Sequence, residues 1–145
     1  MNVKLSVRRW GLAVLGAFAV LVIGDYLIHE VWLGAFYRQT AAWWRPGSEM
    51  KALMPLMLAG QLTLAALLTL IYAKGYEAGK GTLGQGFRFG VLTGLLLFLP
   101  KSFMLFFVYP YPVSLVLNWF IGGLIETTVA GLIIGQLYVP EWKLK

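Results

Sequence analysis

The sequence predicts an all-α integral membrane protein, an antiparallel bundle of four transmembrane helices forming one domain over residues 1–145. Three observations carry this expectation. Four long apolar stretches fill the chain, from Trp10 to Leu33, Leu53 to Ala73, Phe87 to Val108 and Val113 to Tyr138. Each reaches the roughly 20 residues a helix needs to cross the hydrocarbon layer. The residues are 59% hydrophobic and only 12% charged, which the surface of a soluble domain of this size would not tolerate. The short connections leave no room within the 145 residues for a nucleotide-binding domain, a kinase domain or an ectodomain. With no cysteine, disulfides, thiolate metal sites and redox thiols are excluded.

Span 1 follows Lys4, Arg8 and Arg9, as the apolar part of a signal peptide would. Cleavage at Ala17-Phe18-Ala19 would leave too short an apolar region, so the segment reads as an uncleaved first span. Span 2 begins at Pro55, where proline costs little because a first-turn N–H has no helical partner. Span 3 opens with Gly86, Gly90 and Gly94, and span 4 carries Gly123, Thr127, Gly131 and Gly135. Small residues at four-residue spacing let helix backbones approach, so spans 3 and 4 are expected to pair tightly. Span 1 offers Gly16, Val20 and Gly24 for packing, and span 2 offers Ala59, Thr63 and Ala66. Pro100 interrupts span 3 and predicts a kink near Leu96 to Pro100, with the freed carbonyl taken by Ser102 or Lys101. Spans 1–2 and 3–4 show only a weak internal repeat, because aligning their tyrosines leaves Gln61 and Glu126 out of register.

Cytoplasmic segments collect Lys and Arg, and this sets the expected orientation. One side holds Lys4, Arg8, Arg9, Lys74, Lys80, Arg88, Lys143 and Lys145, and the other only Arg38, Arg45 and Lys51. Both termini are therefore predicted to be cytoplasmic. The net charge of +6 is accounted for by residues flanking spans beside anionic headgroups, so no nucleic-acid partner is expected. Trp10, Tyr72, Tyr76, Tyr138 and Trp142 are expected at the inner interface. Trp32, Phe36, Tyr37, Trp43, Trp44, Tyr109, Tyr111 and Trp119 are expected at the outer one. The stretch Tyr37 to Glu49 reads as an interfacial segment with Trp43, Trp44 and Arg45 as a docking loop.

Ionisable groups at membrane depth are costly and need a physical reason. Asp25 and His29 are four apart and share one helix face, while Glu30 points about 100° away. Such a pair relays protons or holds a polar solute; the structural alternative is that it fixes helix packing. Glu126 lies near the middle of span 4 and cannot reach water along its short side chain, so it must be protonated or find a partner. Lys101, the Asp25/His29 face and Gln61 are the candidate partners; protonated Glu126 bonded to Gln61 or Thr127 is the structural alternative. Lys101 can also extend outward towards Tyr109. With a single histidine no metal site is expected, and nothing in the spacing argues for haem. No cofactor is predicted beyond lipid contacts. No nucleophile–base pair or phosphate-binding glycine loop stands out; Gly79-Lys80-Gly81 belongs to a turn.

The run Gly24-Asp25-Tyr26-Leu27-Ile28-His29, with Trp44-Arg45-Pro46 and Met50, resembles small bacterial inner-membrane proteins grouped as domains of unknown function. Lys74-Gly75-Tyr76-Glu77, Gly86 to Gly90 and Gly122-Gly123-Leu124-Ile125-Glu126 fit the same pattern. The resemblance implies a four-helix protein of the bacterial inner membrane and carries no activity or substrate.

Two functions are expected from these features, in order. The first is a non-catalytic accessory or structural subunit of a larger bacterial membrane complex, docking through its Trp-rich loop and glycine faces onto other subunits or a second copy. It requires that the polar groups satisfy one another and that no cavity reach Glu126. The second is a small oligomeric transporter or channel for a proton, ion or small solute, with Asp25, His29 and Glu126 lining its path. A membrane-embedded enzyme ranks third.

Overall fold

The computed structural model describes residues 6–138 of the protein, so Lys4, Trp142, Lys143 and Lys145 lie outside the described residues. It is all-helical, and among the described residues there is no strand. Helix α1 covers Val7–Asp25 and continues as a π-helix over Tyr26–Trp32. The connection to the next long helix holds α2 (Gly34–Gln39), a 3₁₀ turn (Ala41–Trp43) and α3 (Gly47–Ala52). Three long helices follow: α4 (Met54–Lys74), α5 (Thr82–Val108) and α6 (Val113–Leu137). Four helices, counting α1 with its π extension, are long and apolar enough to cross a membrane.

Helix α6 is the hub. It packs against α5 on one side and α1 on the other, and α4 packs against α1. Glycine makes the α5–α6 contact a backbone contact. A methyl carbon placed on Gly131 would lie 2.5 Å from the Gly86 carbonyl oxygen and 2.7 Å from Gly90 Cα. One on Gly90 would meet the Thr127 carbonyl and Thr128 Cα, and one on Gly135 would meet the Thr82 carbonyl at 2.6 Å. Gly86 faces the Gly131 carbonyl, Gly94 faces Thr127 and Leu124, and Gly123 accepts the Phe98 ring. Against α1, Gly16 makes room for Leu137 and Ile133 of α6, and Gly122 makes room for Ile28. The core between α1, α4 and α6 is built from Ala13, Ala17, Leu21, Ala65, Leu68, Ala130 and Ile134.

Several expectations are corrected. Helix α4 does not pack through Ala59 and Thr63, which are exposed; its buried face is Gln61, Ala65, Leu68, Thr69 and Tyr72. The amide of Gln61 needs partners, and satisfying it selects the face more strongly than small side chains do. Tyr72 and Tyr138 are buried within the protein: Tyr72 meets Phe89 edge-on at 5.4 Å and Tyr138 at 6.3 Å, joining α4, α5 and the end of α6. Helix α5 starts at Thr82, five residues before the apolar run. Buried Gln85 holds the preceding turn, accepting from the Glu77 N–H (2.8 Å) and donating to the Glu77 and Lys80 carbonyls (3.0 Å each). Pro100 lies inside a helix that continues to Val108, and Ser102 bonds the Phe98 carbonyl at 2.8 Å, not the carbonyl that Pro100 leaves free.

Candidate functional site

Between α1, α4, α5 and α6 lies a cavity of about 420 Å³, within the usual range of small-molecule sites. Its wall includes the five polar residues that the sequence led us to expect at membrane depth: Asp25, His29, Gln61, Lys101 and Glu126. Leu21, Gln61 and Glu126 are buried and form the floor; Lys101 and Tyr109 are exposed and mark the mouth.

Each polar side chain is placed by a local feature. Glu126, 9% exposed, projects from α6 towards α1 because residue 24 is glycine: a side-chain carbon there would lie 2.8 Å from Glu126 Oε1. Gln61, 8% exposed, donates its amide to Asp25 Oδ2 and, at 3.5 Å, to the Leu21 carbonyl, which ties α4 to α1. His29 sits in the π-helical turn, where the Leu33 N–H reaches back five residues to the Ile28 carbonyl at 2.9 Å. Such wide turns are frequent at functional sites. The His29 ring lies 3.7 Å from Asp25 Oδ1, while its Nδ1 is 2.7 Å from the Tyr37 hydroxyl. Trp119 Nε1 donates to the same hydroxyl at 2.7 Å. Burial pushes the Tyr37 phenol above its ordinary 10.0, so it stays protonated at neutral pH. Trp119→Tyr37→His29 is then a directed chain, with the tautomer assigned from the network, and it leaves Nε2–H facing Asp25.

The inventory of donors and acceptors is unbalanced. The Gln61 amide, the Ser102 hydroxyl and the Trp119 indole spend their protons inside the protein. The Oε1 atoms of Gln61 and Glu126 are buried without a hydrogen-bond partner. Glu126 bonds neither Gln61 nor Thr127, whose hydroxyl is taken by the Gly123 carbonyl at 2.8 Å, and among the described residues Lys101 forms no ion pair. Glu126 also borders a second, almost wholly apolar cavity of about 350 Å³ between α1 and α6, lined by Val20, Ile23, Leu27, Trp32, Ile125 and Val129. Among the described residues no three His, Asp or Glu side chains converge to hold a metal ion.

The connection after α1 folds back over the tyrosine turn at one end of the cavity. Trp44 stacks on Tyr111 at 5.8 Å and meets Tyr37 (5.2 Å) and Trp119 (6.2 Å) edge-on. Tyr111 in turn meets Trp119 at 5.4 Å and stacks on Tyr109 at 5.1 Å. Trp44 also donates to Thr40 Oγ1 at 2.9 Å. Trp44, partly buried, therefore clasps the connection onto the tyrosine turn. Trp43 is half exposed, and Arg45 pairs with Glu49 at 3.4 Å on the surface. Tyr37, Tyr111 and Trp119 shape the site although sequence reasoning placed them only at an interface. Their density around Trp44 was the one available signal.

Comparison with family models, with curated proteins and with solved structures gives no match.

Proposed function

We propose that the protein is a small transporter of the bacterial inner membrane, acting as an oligomer on a proton, ion or small polar solute that enters the cavity. The observation that carries this reading is the cavity itself. It reaches Gln61 and Glu126, each of which keeps a buried oxygen without a hydrogen-bond partner. The accessory-subunit reading required mutually satisfied polar groups and no such cavity, so the geometry weighs against it. In the transport reading the four long helices form an antiparallel bundle across the bilayer with both termini cytoplasmic. Membership of the small bacterial four-helix family named above belongs to the same proposal. In this reading helix α5 carries Pro100 beside the mouth and turns its exposed Leu96, Phe103 and Phe107 to lipid.

The test is flux in proteoliposomes, with proton and solute uptake followed against Glu126→Gln. Uptake that falls at least about tenfold in the variant, at unchanged oligomeric state and melting point, is the expected outcome. Flux indistinguishable from empty vesicles, together with stoichiometric co-purification of larger subunits by native mass spectrometry, would return the accessory reading to first place.

A further inference from the structure

Helix α4 packs against α1, and α5 against α6, but α4 and α5 make no extended contact with each other. They meet edge-on at Tyr72 and Phe89, where α4 ends and α5 begins. Further along, the cavity lies between them, with Gln61 and Leu64 on the α4 side and Phe98, Lys101 and Leu105 on the α5 side. Over the same stretches both helices expose apolar side chains, Leu56 and Met57 on α4 and Leu97 and Met104 on α5. With these helices across a bilayer the opening faces hydrocarbon, so what enters it sideways is a lipid and not a water-borne solute.

Lys101 is the charge in that opening. It is exposed and forms no ion pair among the described residues, and Asp25 on the same wall is engaged by Gln61 and faces His29. About 10 Å of helix separate Lys101 from Val108, the last residue of α5, farther than the four-methylene stem of a lysine extends. An ammonium at that depth is stabilised by an anion that comes to it. Tyr109 and Tyr111 line the same cavity, and neither hydroxyl has a hydrogen-bond partner among the described residues. The mouth thus offers donors that lack an acceptor.

We propose that a phospholipid occupies the open side between α4 and α5, its phosphate on Lys101 beside Tyr109 and Tyr111 and its acyl chains left in the bilayer. At about 30 Å³ per water-sized group, a cavity of about 420 Å³ holds roughly a dozen heavy atoms. That is enough for a phosphate-containing headgroup and too little for a whole lipid, so the chains lie outside, along the exposed faces of α4 and α5. Charge-assisted pairing with the phosphate separates lipids that carry one from lipids that do not. This inference goes beyond the transport reading above and does not depend on it.

The full chain in a maltoside detergent is titrated with phosphatidylglycerol, with diacylglycerol of the same chains and with glycerol 3-phosphate, read by native mass spectrometry and melting point. One phosphatidylglycerol per protomer is expected, held at least about tenfold more tightly than diacylglycerol or glycerol 3-phosphate. Lys101→Gln should lose the preference over diacylglycerol while the lipid-free protein melts as wild type, and Lys101→Arg should keep it. Lys51→Gln, at an exposed lysine of α3 outside the cavity, should bind as wild type. Diacylglycerol binding as tightly as phosphatidylglycerol overturns the role of the phosphate, and an unchanged preference in Lys101→Gln overturns the role of the lysine. Glycerol 3-phosphate binding as tightly as phosphatidylglycerol makes the occupant a soluble phosphate ester and overturns the lipid. Equal losses in Lys101→Gln and Lys51→Gln reduce the effect to surface charge and overturn the site. Binding is read without flux, so each of these results leaves the transport reading standing, and absence of Glu126-dependent flux leaves the lipid site standing.

Discussion

Replacing Gly131 by alanine tests whether α5 and α6 touch backbone to backbone. The added methyl carbon would lie 2.5 Å from the Gly86 carbonyl oxygen, 2.7 Å from Gly90 Cα and 2.8 Å from Gly90 N. All three are backbone atoms, so no side chain can rotate away and the helices must separate by about 1 Å to restore van der Waals distance. Overpacking of this kind costs about 1–3 kcal/mol. Alanine in a helix interior returns about 0.5–1 kcal/mol relative to glycine. The net expectation is a loss of up to about 2.5 kcal/mol, or up to about 10 °C in melting point. Gly60→Ala is the control, because nothing lies within 4 Å of a methyl carbon there and only the helical gain remains. Thermal unfolding of both variants in one detergent, followed by circular dichroism, gives the comparison. If Gly131→Ala melts at or above Gly60→Ala, the close approach of α5 and α6 is wrong.

Tyr37→Phe removes the hydroxyl shared by His29 and Trp119 and should lower stability by about 1–3 kcal/mol, with a change in Trp119 emission that a purely local loss of packing would not produce. Gln61→Leu takes the amide from Asp25 and from the Leu21 carbonyl; with Asp25 about one-third exposed, a loss of about 1–2 kcal/mol in chemical denaturation is expected. Trp44→Ala removes ring contacts to Tyr37, Tyr111 and Trp119, each worth about 0.5–1.5 kcal/mol, so amide exchange over residues 40–53 should accelerate while the α5–α6 seam stays protected. The hydrogen bond from Lys80, aided by Arg88, holds the Glu77 carboxyl below its ordinary 4.5. That stabilisation is complete above 4.5 and is lost as pH falls through the folded-state value, so Glu77→Gln should lower the melting point at pH 7 and match wild type once the Glu77 carboxyl is protonated in both the folded and the unfolded state.

The four long helices were legible because hydrophobic length is a one-dimensional property: roughly 20 apolar residues in a row need no knowledge of their neighbours. The glycines of α5 and α6 were nearly as legible, since a four-residue repeat of missing Cβ atoms defines a stripe on one helix wherever its partner lies. The same logic misled at α4. Ala59 and Thr63 form an equally good stripe, yet one buried amide, Gln61, turns the opposite side inward. The early start of α5 was hidden for a similar reason, because Gln85 acts on a turn eight residues before it through side-chain bonds that no apolar pattern records.

The sequence alone determined which ionisable residues needed explanation: Asp25, His29, Lys101 and Glu126 stand out against an apolar background whatever the packing. Only the tertiary structure decided that they border one cavity. That depends on which helices are neighbours and at what relative depth, set by the glycine seam, by Gly24 admitting Glu126 and by Gln61 reaching Asp25. It also decided what Trp44 touches: a tryptophan free of ring contacts and a partly buried clasp read alike until Tyr111 and Trp119, far along the chain, arrive beside it. Side-chain identity reports the cost of burying a group; three-dimensional proximity determines whether that cost is met by a partner, and which one.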